Sequence, residues 1–338
     1  MNMTAKNVIY AHIHTNWNLV LLLLFLRNLK FDTLVLIVEK KVSLLEKLLV
    51  SKLHFSIKIY DASTSYKKVL TILSLRSLNR KDSCVRFIKF TNHSFYGQCI
   101  QKMLNSKNVT FIDEGTTFIN LAQPELKYAS PVRMFFKRLF WPSPYTPDFN
   151  CFSGVNEAFI MYHELVSDQI DESVLCQDID SFFNPASLKA LTSEWLDIAQ
   201  DLERWRNYFK DNDCSLIIGS PYVSHNLMEV SKYLKLLNVA REHLENRIFY
   251  KKHPTEITKS YFGKVDFQLM AEIDIPAELL FAYSIPFKVV SFGSTSGFML
   301  RYYDHNSSVI HVLPTELFDL ELIHLIDKIS DQLLIIGV

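Results

Sequence analysis

The stretch NVIYAHIHTNWNLVLLLLFLRNLKFDTLVLIV, residues 7–38, decides the fold. At its two ends, Asn7–Ile13 and Thr33–Val38 are short apolar runs rich in β-branched residues, which predicts strands. Between them, Trp17–Leu29 is a longer apolar run that predicts a buried helix. A strand, a helix and a strand in this order indicate a βαβ unit, whose two strands lie parallel in one sheet.

The same alternation recurs on both sides of an irregular, proline-containing middle. The further predicted strands are Phe55–Tyr60, Val85–Phe90, Val109–Ile112, Ser215–Ile218, Arg247–Tyr250, Lys288–Phe292 and Ser307–Leu313. The further predicted helices are Ser43–Lys52, Tyr66–Leu78, Phe182–Phe209, Asn226–Leu237, Pro276–Tyr283 and Leu317–Ile329. We therefore predict an α/β protein with two Rossmann-type βα domains that face a central cleft. The predicted boundaries are 1–155 for the N-terminal domain, 156–210 for a helical linker region and 211–338 for the C-terminal domain.

Composition narrows the class of protein. The chain has 338 residues, 49% of them hydrophobic, and equal numbers (36 each) of basic and acidic residues. This balance argues against a general nucleic-acid binder, which would be more basic. Five scattered cysteines without a C-x-x-C pair predict a reduced cytoplasmic chain with neither a disulfide scaffold nor a zinc site. The apolar run Asn18–Leu26 is too short to span a membrane, and no signal-peptide pattern precedes it.

An acidic pair follows the predicted strand Val109–Ile112 directly, as Asp113-Glu114-Gly115. Two adjacent carboxylates repel each other, which raises the pKa of one of them towards that of a useful general base. Successive residues of a strand point to opposite faces, so Glu114, nearer the turn that Gly115 permits, is favoured as the base. Asp113 would then orient the loop or hold a substrate. The alternative is a simple acidic turn or helix cap.

Two further segments bring anion-binding groups to strand ends. Lys251-Lys252-His253-Pro254 follows Arg247–Tyr250, and histidine is the usual proton donor near neutral pH. Ser291-Phe292-Gly293-Ser294-Thr295-Ser296-Gly297 leads from a strand into a helix start, where hydroxyl and N–H groups bind phosphate or carboxylate. A basic surface turn and an ordinary helix cap are the respective alternatives. The spacing of the second segment is not that of a P-loop.

Three weaker features belong to the same strand-end pattern. Gly219 and Ser220 follow the strand Ser215–Ile218. Ile275-Pro276-Ala277-Glu278 places a carboxylate at a helix start, where it can accept hydrogen bonds from a ribose. The loop after the first strand carries the polar residues His12, His14 and Asn16. In an open α/β sheet, ligands bind outside the carboxyl ends of the strands, so all of these positions are candidate site residues.

The ordered motifs D/E-D/E-G, H-P and S-S/T resemble those of bacterial lipooligosaccharide sialyltransferases, which are related in motif to capsule polysialyltransferases. The I-P-x-E sequence at Ile275–Glu278 also resembles that family. The resemblance implies a two-domain GT-B fold and transfer of sialic acid from CMP-sialic acid, with inversion and with no metal needed for nucleotide binding. The family often has two aspartates where this chain has Asp113-Glu114, so either carboxylate remains a candidate for the base.

The resemblance also implies roles for individual residues. Asp113 and Glu114 would supply the general base, and His253 would assist the departing CMP phosphate. Further nucleotide-binding roles fall on Gly219, Ser220, Lys252, Pro254, Glu278, Ser294, Thr295 and Ser296, with Ser294 and Thr295 at the phosphate and Glu278 at the ribose. His12, His14 and Asn16 would face the acceptor. No cofactor is expected, and the D-x-D sequence Asp211–Asp213 is not expected to bind metal, because it precedes a strand rather than following one.

The expected partners are a nucleotide sugar and a glycan or glycolipid acceptor. The aromatic and basic run Val132–Trp141 fits peripheral contact with the inner face of a bacterial membrane, or equally a core helix with a charged face. Two other functions remain open. One is a GT-B transferase that uses another nucleotide sugar, and the other is a non-catalytic glycan-assembly protein that keeps the fold. The motifs leave the acceptor, the linkage and the oligomeric state open.

Overall fold

The structure is a computed structural model, and its chain divides into two compact units, Met1–Phe183 and Asn184–Val338. It describes residues 7–46, 55–78, 84–90, 95–104, 106, 108–115, 117, 152, 154–194, 196–211, 214–244, 247–253, 256, 264, 268–269, 276–281, 288–303 and 308–337.

A seven-stranded parallel sheet forms the centre of the N-terminal unit. Its strands are β1 (Asn7–Ile13), β2 (Thr33–Val38), β3 (Ser56–Asp61), β4 (Cys84–Lys89), β5 (Asn108–Ile112), β6 (Glu157–Ile160) and β7 (Leu175–Asp178). They lie in the order β3-β2-β1-β4-β5-β6-β7, and every neighbouring pair is parallel. The strand order reverses between β1 and β4. The carboxyl ends of these two strands therefore flank a switch point of the type at which open α/β sheets bind ligands.

Helices of this unit within the described residues include α1 (Asn16–Leu26), α2 (Ser65–Leu78) and α3 (Phe95–Leu104), and residues 44–46 are also helical. Short 3₁₀ turns occupy His163–Leu165, Ser167–Gln169 and Ile179–Ser181. Helix α1 begins with a capping box between Thr15 and Asn18, and all of its residues from Trp17 to Leu26 are buried. A helix that is apolar on all sides needs such full burial. Among the described residues, no helix is both long enough and apolar enough to cross a membrane.

The C-terminal unit repeats this topology with six parallel strands. They are β8 (Cys214–Ile218), β9 (Arg247–Lys251), β10 (Gln268–Leu269), β11 (Lys288–Ser291), β12 (Ser308–Pro314) and β13 (Gln332–Ile336). Their order is β10-β9-β8-β11-β12-β13. Here the order reverses between β8 and β11, which pair from Ser215 with Lys288 to Ile218 with Ser291. The second switch point therefore lies beyond Ile218 and Ser291.

In the part of this unit that the structure describes, the helices are α4 (Pro185–Ser193), α5 (Leu196–Asp211), α6 (Val230–Glu242), α7 (Glu278–Phe281), α8 (Thr295–Tyr303) and α9 (Leu320–Lys328). Asn184 caps α4 through a capping box with Ser187, and Pro185 takes the first helical position. The buried face of α6, formed by Tyr233, Leu236, Leu237 and Ala240, packs in one apolar cluster with the central strands. The predicted α/β class with two Rossmann-type units is thus confirmed.

The structure differs from the sequence prediction in the middle of the chain. Strands β6 and β7 lie within residues 156–210, which were predicted as a helical linker region, and the boundary between the two units falls between Phe183 and Asn184. The predicted helix Phe182–Phe209 is two helices, α4 and α5. Both missed strands have only four residues, EAFI and LCQD, too few to show a strand period. The predicted helix Ser43–Lys52 lies partly outside the described residues.

Candidate active site

Asp113 is a buried anchor at the end of β5. Its side chain is 1% exposed, and its carboxylate accepts four hydrogen bonds from the described residues. Oδ1 receives the N–H of Gly115 at 2.8 Å and both the N–H (3.2 Å) and the hydroxyl (2.7 Å) of Thr117, and Oδ2 receives the N–H of Met161 at 3.1 Å. Burial raises the pKa of this carboxyl, against the lowering effect of those hydrogen bonds. Asp113 therefore ties the turn after β5 to the chain after β6.

Glu114 is placed differently from its neighbour. It is partly buried, and its Oε2 accepts a hydrogen bond of 2.6 Å from the side-chain amide of Asn18 in the first turn of α1. Asn18 is itself fully buried, and its Oδ1 accepts the N–H groups of His14 at 2.9 Å and Thr15 at 3.2 Å. The cap of α1 thus fixes the amide that holds Glu114. A carboxylate at a helix N-terminus is also favoured by the helix dipole.

The loop after β1 forms a polar cluster with the end of β2 and with α2. His12 Nε2 lies 3.1 Å from Glu39 Oε1, His14 Nδ1 lies 3.5 Å from Glu39 Oε2, and Lys68 Nζ lies 3.1 Å from the same Oε2. Burial raises the pKa of Glu39, but the hydrogen bond from His12 and the charges of His12, His14 and Lys68 outweigh it and lower the pKa to about 2. Burial and the nearby His12 lower the pKa of His14 to about 3.

The three candidate acceptor residues therefore differ in exposure and partners. His12 is 1% exposed and engaged with Glu39, whereas His14 is less deeply buried. The side chain of Asn16 bonds the loop that follows β2, through Ser43 Oγ at 2.8 Å and the N–H of Leu44 at 3.1 Å. This pairing gives Asn16 a structural task at the start of α1.

The ligand atoms of His12, His14 and Glu39 lie within 4.8 Å of one another, a spacing that could hold a metal ion. However, the ammonium group of Lys68 already pairs with the carboxylate of Glu39. A divalent cation there would meet this positive charge at short range in a partly buried site, where repulsion is weakly screened. The arrangement therefore fits a hydrogen-bonded cluster better than a metal centre.

In the C-terminal unit, the segment after β9 closes a tight turn from His253 to Glu256. The N–H of Glu256 donates to the carbonyl of His253 at 2.9 Å, and the N–H of His253 donates to Glu256 Oε2 at 2.8 Å. Pro254, a predicted nucleotide-binding residue, lies outside the described residues. His253 and Lys252 are both partly exposed at the strand end.

The segment after β11 forms the start of α8. Ser294 is the N-cap: its carbonyl accepts the N–H of Gly297 at 3.0 Å, and its hydroxyl lies 3.4 Å from the same N–H. Ser291 Oγ in turn accepts the N–H of Ser294 at 3.1 Å. Thr295 and Ser296 are the first two helical residues, whose N–H groups have no intrahelical acceptor. Together with the helix dipole, these groups are chemically suited to binding an anion beside the second switch point.

Glu278 lies next to that helix start. It is 7% exposed, and its Oε1 accepts a hydrogen bond of 2.7 Å from the hydroxyl of Ser296. Burial raises the pKa of this carboxyl, and the charge of Lys251 is among the effects that lower it. The structure therefore brings Glu278, Ser296 and Ser294 together at the start of α8. Gly219 and Ser220 follow β8, the strand that pairs with β11.

Several residues that contact the candidate site residues were not predicted from the sequence. Asn18, Glu39 and Glu256 each contact a candidate residue through a side-chain hydrogen bond. The spacing of His253 and Glu256 was a usable signal, because residues three apart can close a turn with reciprocal bonds. Asn18 and Glu114 are 96 positions apart, so no local pattern connects them. The run Val132–Trp141, Ile275 and the end of the D-x-D sequence lie outside the described residues.

Comparison with known proteins supports this picture. The family model described as "Alpha-2,8-polysialyltransferase (POLYST)" matches residues 5–313. No curated protein sequence matches significantly. The chain is similar to a sialyltransferase from Photobacterium damsela, with a TM-score of 0.59 and 12% identity over 98% of this chain and 82% of that one. It is also similar to a 2,6-sialyltransferase of a Photobacterium species, solved with CMP and lactose, with a TM-score of 0.61 and 14% identity over 97% and 78%.

The GT-B architecture is not confined to sialyltransferases. UDP-GlcNAc 2-epimerase from Methanocaldococcus jannaschii matches with a TM-score of 0.55 and 14% identity, over 97% of this chain and 89% of that one. At such identities the structural likeness establishes the two-domain GT-B fold alone. The family match extends over nearly the whole chain, and it confirms the resemblance drawn from the motifs. The chain therefore belongs to the alpha-2,8-polysialyltransferase family and is a glycosyltransferase of the sialyltransferase type.

Proposed function

We propose that the protein moves sialic acid from CMP-sialic acid to a hydroxyl group of a bacterial surface glycan, with inversion and without a metal ion. The observation that carries the proposal is the placement of the two motif residues with proton-transfer chemistry. Glu114 and His253 both lie just beyond the carboxyl end of a parallel strand. Each has a buried partner, Asn18 for the carboxylate of Glu114 and Glu256 for the backbone of His253.

Glu114 is the proposed general base. Its neighbour Asp113 is 1% exposed and its carboxylate accepts four hydrogen bonds from the described residues, whereas Glu114 is partly exposed and its Oε2 accepts a hydrogen bond from the amide of Asn18. A carboxylate oxygen has room for a further hydrogen bond beside that amide. Glu114 would accept the proton of the acceptor hydroxyl as the hydroxyl oxygen attacks the anomeric carbon of sialic acid.

His253 is the proposed acid for the departing nucleotide. As the bond between the anomeric carbon and the phosphate oxygen breaks, His253 would donate its proton to that phosphate. Lys252 and the start of α8, with Ser294, Thr295 and Ser296, would offset the remaining negative charge. CMP leaves as a monophosphate, which carries less charge than a diphosphate, so protein donors are a sufficient counter-charge in this proposal.

One base for the acceptor and one acid for the leaving group describe a single displacement, which inverts the anomeric centre.

Glu278 is assigned to the cytidine ribose, because it is a buried carboxylate beside the proposed phosphate-binding turn. The acceptor class proposed is lipooligosaccharide, O-antigen or capsule. The proposed location is the cytoplasm, with peripheral contact to the membrane that carries a lipid-linked acceptor.

Calorimetry with CMP in the presence of EDTA tests the nucleotide and the metal together. We expect CMP to bind in EDTA with an affinity that added Mg²⁺ or Mn²⁺ does not change. Donor hydrolysis should then be measured for a panel of CMP-sugars and UDP-sugars, with CMP-sialic acid expected as the best substrate. Binding that appears only with a divalent ion refutes metal independence, and a preference for UDP-sugars refutes the proposed donor.

A further inference from the structure

We infer that Glu256 is a positioning residue that fixes His253 and couples it to the turn after β8. Its catalytic consequence rests on the proposed role of His253 as the acid. Glu256 is only 7% exposed although it lies in a turn at the end of the sheet. Burying a carboxylate costs free energy unless several donors satisfy it, so a specific function is expected for Glu256 at this buried position.

Three donors from three different parts of the unit converge on this carboxylate. Oε2 accepts the N–H of His253 at 2.8 Å. Oε1 accepts the hydroxyl of Tyr250, which is the fourth residue of β9, and the hydroxyl of Tyr233 from α6 at 3.2 Å. The two tyrosine hydroxyls also lie 2.9 Å from each other. A carboxylate accepts hydrogen bonds and donates none, which matches a position surrounded by donors.

The network continues to the turn after β8, the strand that pairs with β9. The hydroxyl of Tyr233 accepts the N–H of Ser220 at 3.0 Å, and the N–H of Gly219 donates to the carbonyl of Lys251 at 2.9 Å. A Cβ atom on Gly219 would lie 2.4 Å from Glu256 Oε2 and 2.4 Å from the Tyr250 hydroxyl. The absence of a side chain at Gly219 therefore lets this turn pack directly on the network.

Two sets of hydrogen bonds fix the position of the His253 backbone. The reciprocal bonds between His253 and Glu256 set the turn, and the two buried tyrosines set the carboxylate. Without Glu256, the N–H of His253 and both hydroxyls would lose a buried acceptor, and the turn would relax. A displacement of about 1 Å at a catalytic group costs on the order of 10²-fold in rate. The network thus explains how His253, which is partly exposed, can keep a defined position.

A double-mutant cycle tests the inference. We expect Glu256→Gln, which keeps the shape and removes the charge, to lower kcat by on the order of 10²-fold with a smaller change in KM for the donor. In the His253→Ala background, the same change should lower kcat by no more than about twofold, because Glu256 would then have no catalytic imidazole to position. A twofold change is about the error of such a cycle. If the two effects multiply instead, Glu256 does not act through His253 and the inference fails.

Asp331→Asn is the matched control. This carboxylate also accepts a backbone N–H in the same unit, that of Val309 at 3.0 Å, and it pairs with Arg301 at 3.0 Å. Its loss should lower stability and combine with His253→Ala multiplicatively. If Glu256→Gln folds poorly, Tyr250→Phe removes one donor of the network and keeps the ring, and it should show the same non-additivity at smaller size.

The imidazole resonances of His253, followed by NMR through a pH titration, give a readout that does not need activity. Glu256→Gln should shift the resonances or the titration midpoint of His253, whereas Asp331→Asn should not. An unchanged His253 in Glu256→Gln overturns the inference. Full turnover by His253→Ala would refute the proposed acid, while the NMR result would still decide whether Glu256 positions that residue.

Discussion

Asp113 and Glu114 are neighbours in sequence with different environments. The side chain of Asp113 is buried in the N-terminal unit. It accepts four hydrogen bonds from the described residues, three from the following turn and one from Met161. Glu114 is partly exposed, and its Oε2 accepts a hydrogen bond from the side-chain amide of Asn18. At this scale, one carboxylate is suited to holding the loop and the other to meeting a substrate.

Replacing each carboxylate by its amide separates these two tasks. We expect Glu114→Gln to lower transfer by about 10²–10⁴-fold, the usual range for a lost proton-transfer group, with CMP affinity nearly unchanged. Asp113→Asn should mainly lower the free energy of unfolding, by roughly 1–3 kcal/mol, because its amide group would face N–H donors. Transfer rates, CMP calorimetry and urea unfolding measure these effects. An inactive but fully stable Asp113→Asn, beside an active Glu114→Gln, would reverse the assignment.

His253, in the second motif, can be tested in the same way. His253→Ala is expected to lower turnover by about 10²–10⁴-fold, because the leaving phosphate loses its proton donor. CMP affinity should fall less, because the proposed phosphate site at the start of α8 is unchanged. Lys252→Ala, one residue earlier, is the control for loss of positive charge alone. Near-normal turnover of His253→Ala, with Lys252→Ala inactive, would transfer the acid role to the lysine.

At the scale of elements, the start of α8 depends on a close contact with β11. A Cβ atom on Gly297 would lie 2.4 Å from Ser291 Oγ, 2.6 Å from Ser291 Cβ and 3.0 Å from His311 Cε1. Neither the Ser291 Cβ nor the buried His311 ring can move aside without shifting its strand. The glycine therefore allows the first turn of α8 to approach the strand whose end it extends.

Gly297→Ala should displace this helix start. We expect a loss of roughly 1–3 kcal/mol in unfolding free energy, the usual cost of overpacking, together with weaker CMP binding. Gly337→Ala is the control, because nothing lies within 4 Å of a Cβ at that position. Urea unfolding and calorimetry measure the two effects. Undiminished CMP affinity in a destabilised Gly297→Ala would argue against the start of α8 as the phosphate site.

At the scale of the whole molecule, buried histidines make stability depend on pH. His311 on β12 is fully buried, and its ring stacks on Phe298 with the ring centroids 4.7 Å apart. Among the described residues, neither of its ring nitrogens has a hydrogen-bond partner. Burial lowers the pKa of His311 to about 3. Between the ordinary pKa of 6.5 and about 3, the unfolded chain binds a proton that the native protein does not. Native stability is therefore lost as the pH falls through this window.

His311→Phe should remove that dependence and keep the stack on Phe298. Wild-type unfolding free energy should fall relative to the variant by about 1.4 kcal/mol for each pH unit below 6.5. The comparison with the variant cancels the opposing contribution of the buried carboxyls Asp113 and Glu278, whose raised pKa values act in both proteins. His324→Phe, at an exposed site, should keep the wild-type profile. Parallel pH profiles of wild type and His311→Phe would refute the prediction.

The periodic elements were determined by the sequence. The bounds of β1 and β2 agree with the predicted strands residue for residue, because dense runs of β-branched residues on either side of an apolar helix allow few other structures. The short strands β6 and β7 were not predictable, since four residues carry no period. They become strands only because the edge of β5 offers unpaired backbone groups, and each then pairs with its neighbour.

For the site, the sequence by itself determined which chemical groups lie at strand ends, because parallel strands bring all their carboxyl ends to one edge of a sheet. The tertiary structure decided what holds those groups. Asn18 reaches Glu114 across 96 positions, and Tyr233 reaches Glu256 across 23. Such pairs form because packing buries polar atoms, which must then find partners wherever the fold brings them, and no spacing along the chain records that choice.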